Sequence, residues 1–242
     1  MHQEEKSKIF EGQEAIISQI LKKGFSEYVR EEDVSKAFYL IDRNVRCIDE
    51  GTPGGLHSAG SGILLTKEQA LLYFRTAHVD GVTSHDGCGA AKIFAKREGL
   101  DETKSDEFAK DWAKEIAEEL GVPYSHISFD EMIRPKDFHI SRLAYYDGTG
   151  KFNFGASRAL PPGFIISRSV QGRDVSLAEA KVSLDIAFGS SAFGGLLSED
   201  KPFILVAIGA SNEETETLKE ELRTLGHSFG KKVIIDGFTA PK

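Results

Sequence analysis

Hydrophobic residues recur at intervals of three and four along several stretches of the chain. Residues 5–30 follow this helical spacing, and so do residues 105–120, where Gly121 stops the pattern. The run Thr66–Gln69 has the form of a capping box and predicts a helix that continues to about Thr76. The same criteria predict three further helices, which begin near Cys88, Ser176 and Ser211.

Short apolar runs between these helices predict the strands. They lie at residues 36–48, 79–84, 139–146, 164–167, 203–208 and 232–237. The turn at Asp147–Gly150 predicts that one strand continues as a hairpin into Lys151–Phe154. Because most strands alternate with helices, we expect an α/β fold with a largely parallel central sheet and helices on both faces. The sequence shows no internal repeat and no linker, which indicates one domain over residues 1–242.

Composition excludes several classes of partner. The net charge is -8, and no basic stripe is present to neutralise phosphates, so nucleic acid is not an expected partner. The apolar runs are too short to span a bilayer, and the polar, acidic N-terminus does not resemble a secretory signal. The chain has two cysteines, which is too few for a disulfide framework and fits a reducing compartment. We therefore expect a cytoplasmic protein that acts on a small molecule.

Both cysteines lie where predicted elements meet. Cys47 falls at the end of the first predicted strand, and His85 ends the second. Cys88 follows His85 by three residues and opens a helix, where the helix dipole favours a thiolate. Two thiolates and one imidazole are the ligands of a catalytic zinc whose fourth position stays open. The sequence thus predicts a zinc site of Cys47, His85 and Cys88.

Other histidines offer weaker alternatives. His78 is a rival imidazole ligand, although it falls in a helix-to-strand connection rather than at a strand end. His57 lies in the glycine-rich loop of residues 51–62 and is interpreted as a polar lining residue of the pocket. The remaining histidines have no spacing that favours a ligand role; they are His2, His126, His139 and His227.

The motifs at this site resemble those of the β-class carbonic anhydrases. Cys47-Ile48-Asp49 is similar to the start of that family's C-x-D-x-R motif, and His85–Ala90 matches its H-x-x-C with a following helix. The resemblance covers residues 36–97, which form the expected metal-site half, with residues 98–242 as the remainder. It implies zinc, a parallel sheet, a homodimer or higher homo-oligomer, and a helical arm at residues 1–32. It also implies reversible hydration of carbon dioxide by a zinc-bound hydroxide, with Asp49 as a catalytic residue.

The chain departs from the family at Gly51, which stands where the family has arginine. That arginine holds the aspartate off the metal, so without it Asp49 could become a fourth ligand and close the site. Three arginines could substitute from elsewhere in the chain, namely Arg46, Arg75 and Arg142. The alternatives to a carbonic anhydrase-like lyase are therefore a zinc enzyme acting on another small electrophile, a non-catalytic zinc protein, and a metal-free protein that binds a ligand at the glycine loop.

Overall fold

The computed structural model describes residues 2–241, apart from the side chain of His227. Its α-helices are α1 (His2–Lys23), α2 (Phe25–Glu31), α3 (Lys67–Thr76), α4 (Gly89–Arg97), α5 (Ser105–Leu120), α6 (Arg173–Ala187) and α7 (Asn212–Gly226). Its strands are β1 (Asn44–Arg46), β2 (Leu56–His57), β3 (Gly81–His85), β4 (Tyr124–Ile127), β5 (Leu143–Asp147), β6 (Phe164–Ser167), β7 (Phe203–Gly209) and β8 (Val233–Thr239).

The strands form two four-stranded sheets, ordered β2-β1-β3-β4 and β6-β5-β7-β8. Every pairing is parallel, which confirms the expected α/β architecture with its N-terminal helix. When the strands of each sheet are numbered 1 to 4 in chain order, both sheets have the order 2-1-3-4. The chain therefore repeats one topology in its two halves, although the sequence shows no repeat.

The two sheets share one hydrophobic core. Ile48, just after β1, and Leu205 of β7 belong to a single cluster of buried side chains. The backbone N–H of Ile165 in β6 donates to the carbonyl of Ile48 at 3.0 Å. The N–H of His57 in β2 donates to the hydroxyl of Ser167 in β6 at 2.8 Å. These contacts link the second sheet to the loops that follow β1, where the predicted metal ligands begin.

The helical arm packs on its own chain. Phe10, Ile17 and Ile20 of α1 are buried in the cores of the molecule. Glu14 of the same helix pairs with the buried Arg142 at 2.6 Å, and that guanidinium also stacks 4.1 Å from the ring centre of Phe10. Within residues 2–241, no helix combines the length and the apolar character that a membrane crossing requires.

Several local predictions are confirmed. The hydroxyl of Thr66 accepts the N–H of Gln69 while the Gln69 side chain accepts the N–H of Thr66, so the capping box starts α3 as expected. Gly121 ends α5 with a φ of 69°, a left-handed conformation that costs glycine little. Cys88 is the N-cap of α4. The apolar run 203–208 lies in β7, an inner strand of the second sheet.

Two strand predictions are wrong in extent. In residues 36–48 only Asn44–Arg46 forms a strand, because Ser35–Phe38 adopts a 3₁₀ turn and the side chains of Tyr39 and Ile41 are exposed. The hairpin after residues 139–146 does not form, since β5 pairs in parallel with β6 and β7 instead. The first error arose because Tyr39 and Ile41 are apolar but exposed, and the second because a turn signal does not specify which strand a segment will pair with.

Candidate metal centre

Three side chains converge at the carboxyl end of the first sheet. Cys47 follows β1 directly, His85 is the last residue of β3, and Cys88 precedes α4. Because β1 and β3 are parallel neighbours, their carboxyl ends meet at one edge. The sulfur atoms of Cys47 and Cys88 lie 4.0 Å apart, and all three ligand atoms lie within 4.8 Å of one another. All three residues are buried.

The geometry of this group fits a metal ion. The Nδ1 of His85 donates to the carbonyl oxygen of Asp86 at 2.9 Å, so Nε2 is the nitrogen that can ligate a metal once it has lost its proton. That Nε2 atom is buried and has no hydrogen-bond partner among the described residues, which is costly unless something binds it. Two zinc–sulfur bonds of about 2.3 Å at a tetrahedral angle would separate the sulfurs by about 3.8 Å, close to the observed distance. The group can therefore hold a metal ion.

Electrostatics in the metal-free site follow from burial and from the paired thiols. Hydrogen bonding with Cys88, followed by burial, raises the pKa of Cys47 well above its usual range. The same hydrogen bond lowers the pKa of Cys88, aided by backbone N–H groups of α4. Burial alone would lower the pKa of His85, but its interaction with Cys47, together with the charge of Asp49, raises it to about 9. A metal ion must therefore displace protons from this group when it binds.

The glycine-rich loop reaches into the site. The N–H of Gly60 donates to the sulfur of Cys47 at 3.1 Å, and Gly60 takes a left-handed φ of 56° to do so. A buried carboxylate from α6 anchors this loop, because Oε1 of Glu179 accepts the Ser58 hydroxyl at 2.8 Å and the Ala59 N–H at 2.6 Å. Burial raises the pKa of Glu179 to about 7.

Asp49 lies beside the three ligands and is held by an arginine from a distant loop. Arg134 donates from Nε to Oδ1 at 2.7 Å and from Nη2 to Oδ2 at 2.8 Å, a bidentate pair in which both partners are buried. Oδ1 also accepts the N–H of Gly51 at 2.8 Å. Although burial alone would raise the pKa of Asp49, the charges of His139, His85 and Arg134 hold it well below its usual range.

Gly51 makes room for this arginine. A Cβ atom at position 51 would lie 2.6 Å from Cε of Met132 and 2.9 Å from both Cγ of Arg134 and Oδ1 of Asp49. The space that an arginine side chain at position 51 would need to leave the backbone is therefore already filled by residues 132–134. The absence of arginine at Gly51 does not leave Asp49 without a cation.

The three arginines considered from the sequence are engaged elsewhere. Arg46 pairs with Asp42, Arg75 donates to the backbone of Glu119, and Arg142 pairs with Glu14. No motif pointed to Arg134, which lies 85 residues from Asp49 along the chain.

A second polar pair borders the same site. Oε2 of Glu50 lies 3.0 Å from Nδ1 of His139, and its Oε1 accepts the N–H of Ile140 at 2.6 Å. His139 also lines a pocket of about 350 Å³ together with Arg134 and with Gly87 and Gly89, which flank Cys88. Lys92, Lys136 and Asp137 line the pocket as well, so cations outnumber anions among its charged side chains. Sequence reasoning missed both Glu50 and His139, because neither belongs to a motif.

The other candidate histidines take different positions. His78 is exposed and lies outside the group of mutually close ligand atoms, so it is not the rival ligand that its sequence position allowed. His57 is fully buried, and its Nδ1 donates to the carbonyl of Cys47 at 2.6 Å. Burial lowers the pKa of His57 to about 4, which keeps its ring neutral. The His57 side chain thus stabilises the backbone conformation at Cys47.

Among the described residues, the second sheet has no counterpart of this centre. β5 ends at Asp147, whose Oδ1 accepts the N–H and hydroxyl of Thr149, and both cysteines of the chain belong to the first half. Comparison with protein-family models, curated proteins and solved structures gives no match. The fold and the site by themselves define a parallel α/β protein with a buried Cys-His-Cys group able to hold a metal ion.

Proposed function

We propose that this protein is a zinc-dependent lyase that resembles the β-class carbonic anhydrases and hydrates carbon dioxide reversibly. The observation that carries the proposal is the bidentate pair of Arg134 and Asp49 beside Cys47, His85 and Cys88. Arg134 supplies the guanidinium that the resembled family has at the position of Gly51. A cation therefore holds Asp49 even though this chain has glycine at position 51.

The pair favours an open metal site over a closed one. Both oxygens of Asp49 already accept hydrogen bonds, from Arg134 and from the N–H of Gly51. Ligation of a metal by Asp49 would break part of a buried ion pair, which costs several kcal/mol, on the order of 3–5 kcal/mol when a partner is lost outright. The donor set is therefore two sulfurs and one imidazole, which leaves a fourth position for water. Zinc bound in this way acts as a Lewis acid that lowers the pKa of its water toward about 7.

Side chains around the metal centre would then orient the reacting water and assist release of the product. Asp49, held by Arg134, would accept a hydrogen bond from the reacting water through Oδ2, whose one donor among the described residues is Arg134, and would thereby orient that water toward the substrate. We infer that the substrate enters through the pocket bordered by Gly87 and Gly89, which flank Cys88, and that Lys92 and Lys136 on its wall attract an anionic product such as bicarbonate.

The size of the pocket supports a second candidate. A volume of about 350 Å³ lies at the lower end of the range for small-molecule sites and is larger than carbon dioxide needs. The same machinery could therefore hydrate or hydrolyse another small electrophile. A homodimer is also part of the proposal, and the mass of the zinc-loaded protein in solution tests it.

The experiment compares two histidine variants. His85→Asn removes a proposed ligand, whereas His78→Asn removes an exposed histidine and serves as the matched control. We expect about one zinc per chain in the wild type and the control, with zinc lost from His85→Asn. Stopped-flow assays from pH 7 to 9 should show carbon dioxide hydration in the two zinc-loaded proteins.

The outcomes separate the alternatives. Less than about half an equivalent of zinc in the wild type contradicts a metal site. Full zinc without hydration above the rate of His85→Asn rejects the carbonic anhydrase activity. Ester hydrolysis under the same conditions would then favour the second candidate, and its absence a non-catalytic zinc protein.

A further inference from the structure

The loop of residues 58–62 forms a strained turn beside Cys47. Gly60, Ser61 and Gly62 take left-handed φ values of 56°, 54° and 86°, a conformation that serine rarely adopts. Strain of this kind persists only where surrounding contacts hold it, and it is concentrated at functional sites. The turn directs the N–H of Gly60 at the sulfur of Cys47, to which it donates at 3.1 Å.

Contacts within the first half of the chain hold the segment that follows Gly60. The hydroxyl of Ser61 donates to the carbonyl of Thr83 in β3 at 2.6 Å, and Nε1 of Trp112 donates to the carbonyl of Ser61 at 3.0 Å. These two bonds fix Ser61 in its strained conformation.

The segment that precedes Gly60 is held from the second half of the chain. Glu179 of α6 is buried, and its Oε1 atom accepts both the hydroxyl of Ser58 and the N–H of Ala59. Its Oε2 atom accepts the side-chain N–H of Gln171, which orients the carboxylate. The N–H that Glu179 binds and the N–H that Cys47 binds belong to consecutive residues, so the position of the first constrains the second.

We propose that Glu179 is a positioning residue of the metal centre, which keeps the Gly60 N–H on the Cys47 sulfur and so sets how much charge that sulfur donates to a metal ion. The inference rests on the metal site of the proposed function and is independent of carbon dioxide hydration. Hydrogen bonds from outside the ligand set orient the ligands and tune the metal they hold. Cys88 receives such bonds from its own helix α4, whereas Cys47 depends on this loop.

Substitutions at Glu179 separate positioning from packing. Glu179→Met keeps much of the side-chain volume but removes the acceptor, so both loop donors lose their partner. Glu179→Gln keeps an acceptor oxygen, and the amide of Gln171 can turn to match it, because its Oε1 atom has no partner among the described residues. Asp185→Met is the matched control, since Asp185 is an exposed residue of the same helix.

The probe is Co(II) in place of zinc, because its absorption reports the charge that sulfur ligands donate. In Glu179→Met we expect the sulfur-to-cobalt band to move to longer wavelength, since a thiolate without its N–H bond donates more readily. Co(II) affinity should fall about 10- to 100-fold, because the loop no longer holds the sulfur in place. Glu179→Gln and Asp185→Met should keep the wild-type band and affinity.

A second measurement uses the metal-free protein. Hydrogen exchange at the Gly60 amide should be at least about 10-fold faster in Glu179→Met than in the wild type, while the amides of β3 keep their rates. Glu179→Asp withdraws the carboxylate from the loop by one methylene, so it should shift band and exchange in the same direction. It takes the place of Glu179→Met if that variant does not fold.

The outcomes distinguish this inference from the proposed activity. Absence of hydration in a metal-loaded wild type rejects the activity, whereas the band shift in Glu179→Met still supports the positioning role. An unchanged band and unchanged Gly60 exchange in the folded variant overturn that role. A shift in Glu179→Gln as large as in Glu179→Met also overturns it, because the acceptor oxygen would then not be what holds the loop. A wild type that binds neither zinc nor Co(II) overturns both proposals.

Discussion

Replacing Arg134 with methionine tests the central feature of the site. Methionine keeps much of the apolar stem but removes the guanidinium, so Asp49 remains in a buried position without the cation that binds both of its oxygens. Arg134 is 6% exposed and Asp49 2% exposed, so solvent does little to compensate. Removing one partner of such a buried pair costs about 3–5 kcal/mol. Because the N–H of Gly51 still donates to Asp49, we expect the lower end, about 3 kcal/mol.

Urea unfolding of the metal-free protein at pH 7 measures this loss. A change of about 3 kcal/mol corresponds to a fall of roughly 6–12 °C in Tm for a domain of this size. Arg75→Met is the matched control, since Arg75 donates only to the backbone of Glu119 near the surface, and its effect should stay within about 0.5 kcal/mol. A loss below about 1 kcal/mol for Arg134→Met would refute the view that Arg134 compensates the buried charge of Asp49.

The pH dependence gives a second check on the same pair. The pKa of Asp49 is lowered in the folded protein, so its contribution to stability is present above the unfolded pKa of about 3.9 and is lost as the pH falls through the folded value. Arg134→Met removes a main cause of that lowering. The variant should therefore take up a proton at Asp49 at higher pH than the wild type does, and the difference in stability between the two should shrink as the pH falls toward 4.

Three further predictions follow from neighbouring groups. Gly51→Ala should destabilise the protein by about 1–3 kcal/mol in urea unfolding, because its Cβ would overlap Met132 and Arg134; unchanged stability would contradict the packing argument. Stability should fall by roughly 3 kcal/mol from pH 4.5 to pH 7 through Glu179, whose folded pKa is raised to about 7, and Glu179→Gln should remove that slope. Zinc affinity, measured by competition with a chelator, should rise with pH through the pKa of about 9 of His85 and beyond it, because His85 and the thiol of Cys47 must both lose protons to bind the metal; a flat profile would contradict the Cys-His-Cys ligand set.

Local features of the chain could be predicted because each depends on residues close together in sequence. The capping box at Thr66–Gln69, the helix ended by Gly121 and the apolar run of β7 all formed where the pattern placed them. Cys47 and His85 lie at the carboxyl ends of neighbouring parallel strands, which local pattern and one topological rule together predict. Cys88, three residues beyond His85, lies with its sulfur 4.0 Å from that of Cys47.

The tertiary structure alone decided which groups surround those ligands. Arg134 and His139 come from the irregular segment between β4 and β5, and their distances from Asp49 and Glu50 depend on how the second sheet docks against the first. The strands divide into two sheets of the same order. Apolar segments of similar composition do not specify which strands pair, so this division was also set by the tertiary structure. The sequence by itself determined a Cys-His-Cys group at a sheet edge. Its charge environment arose from contacts between segments some 85 to 90 residues apart, which no periodicity along the chain encodes.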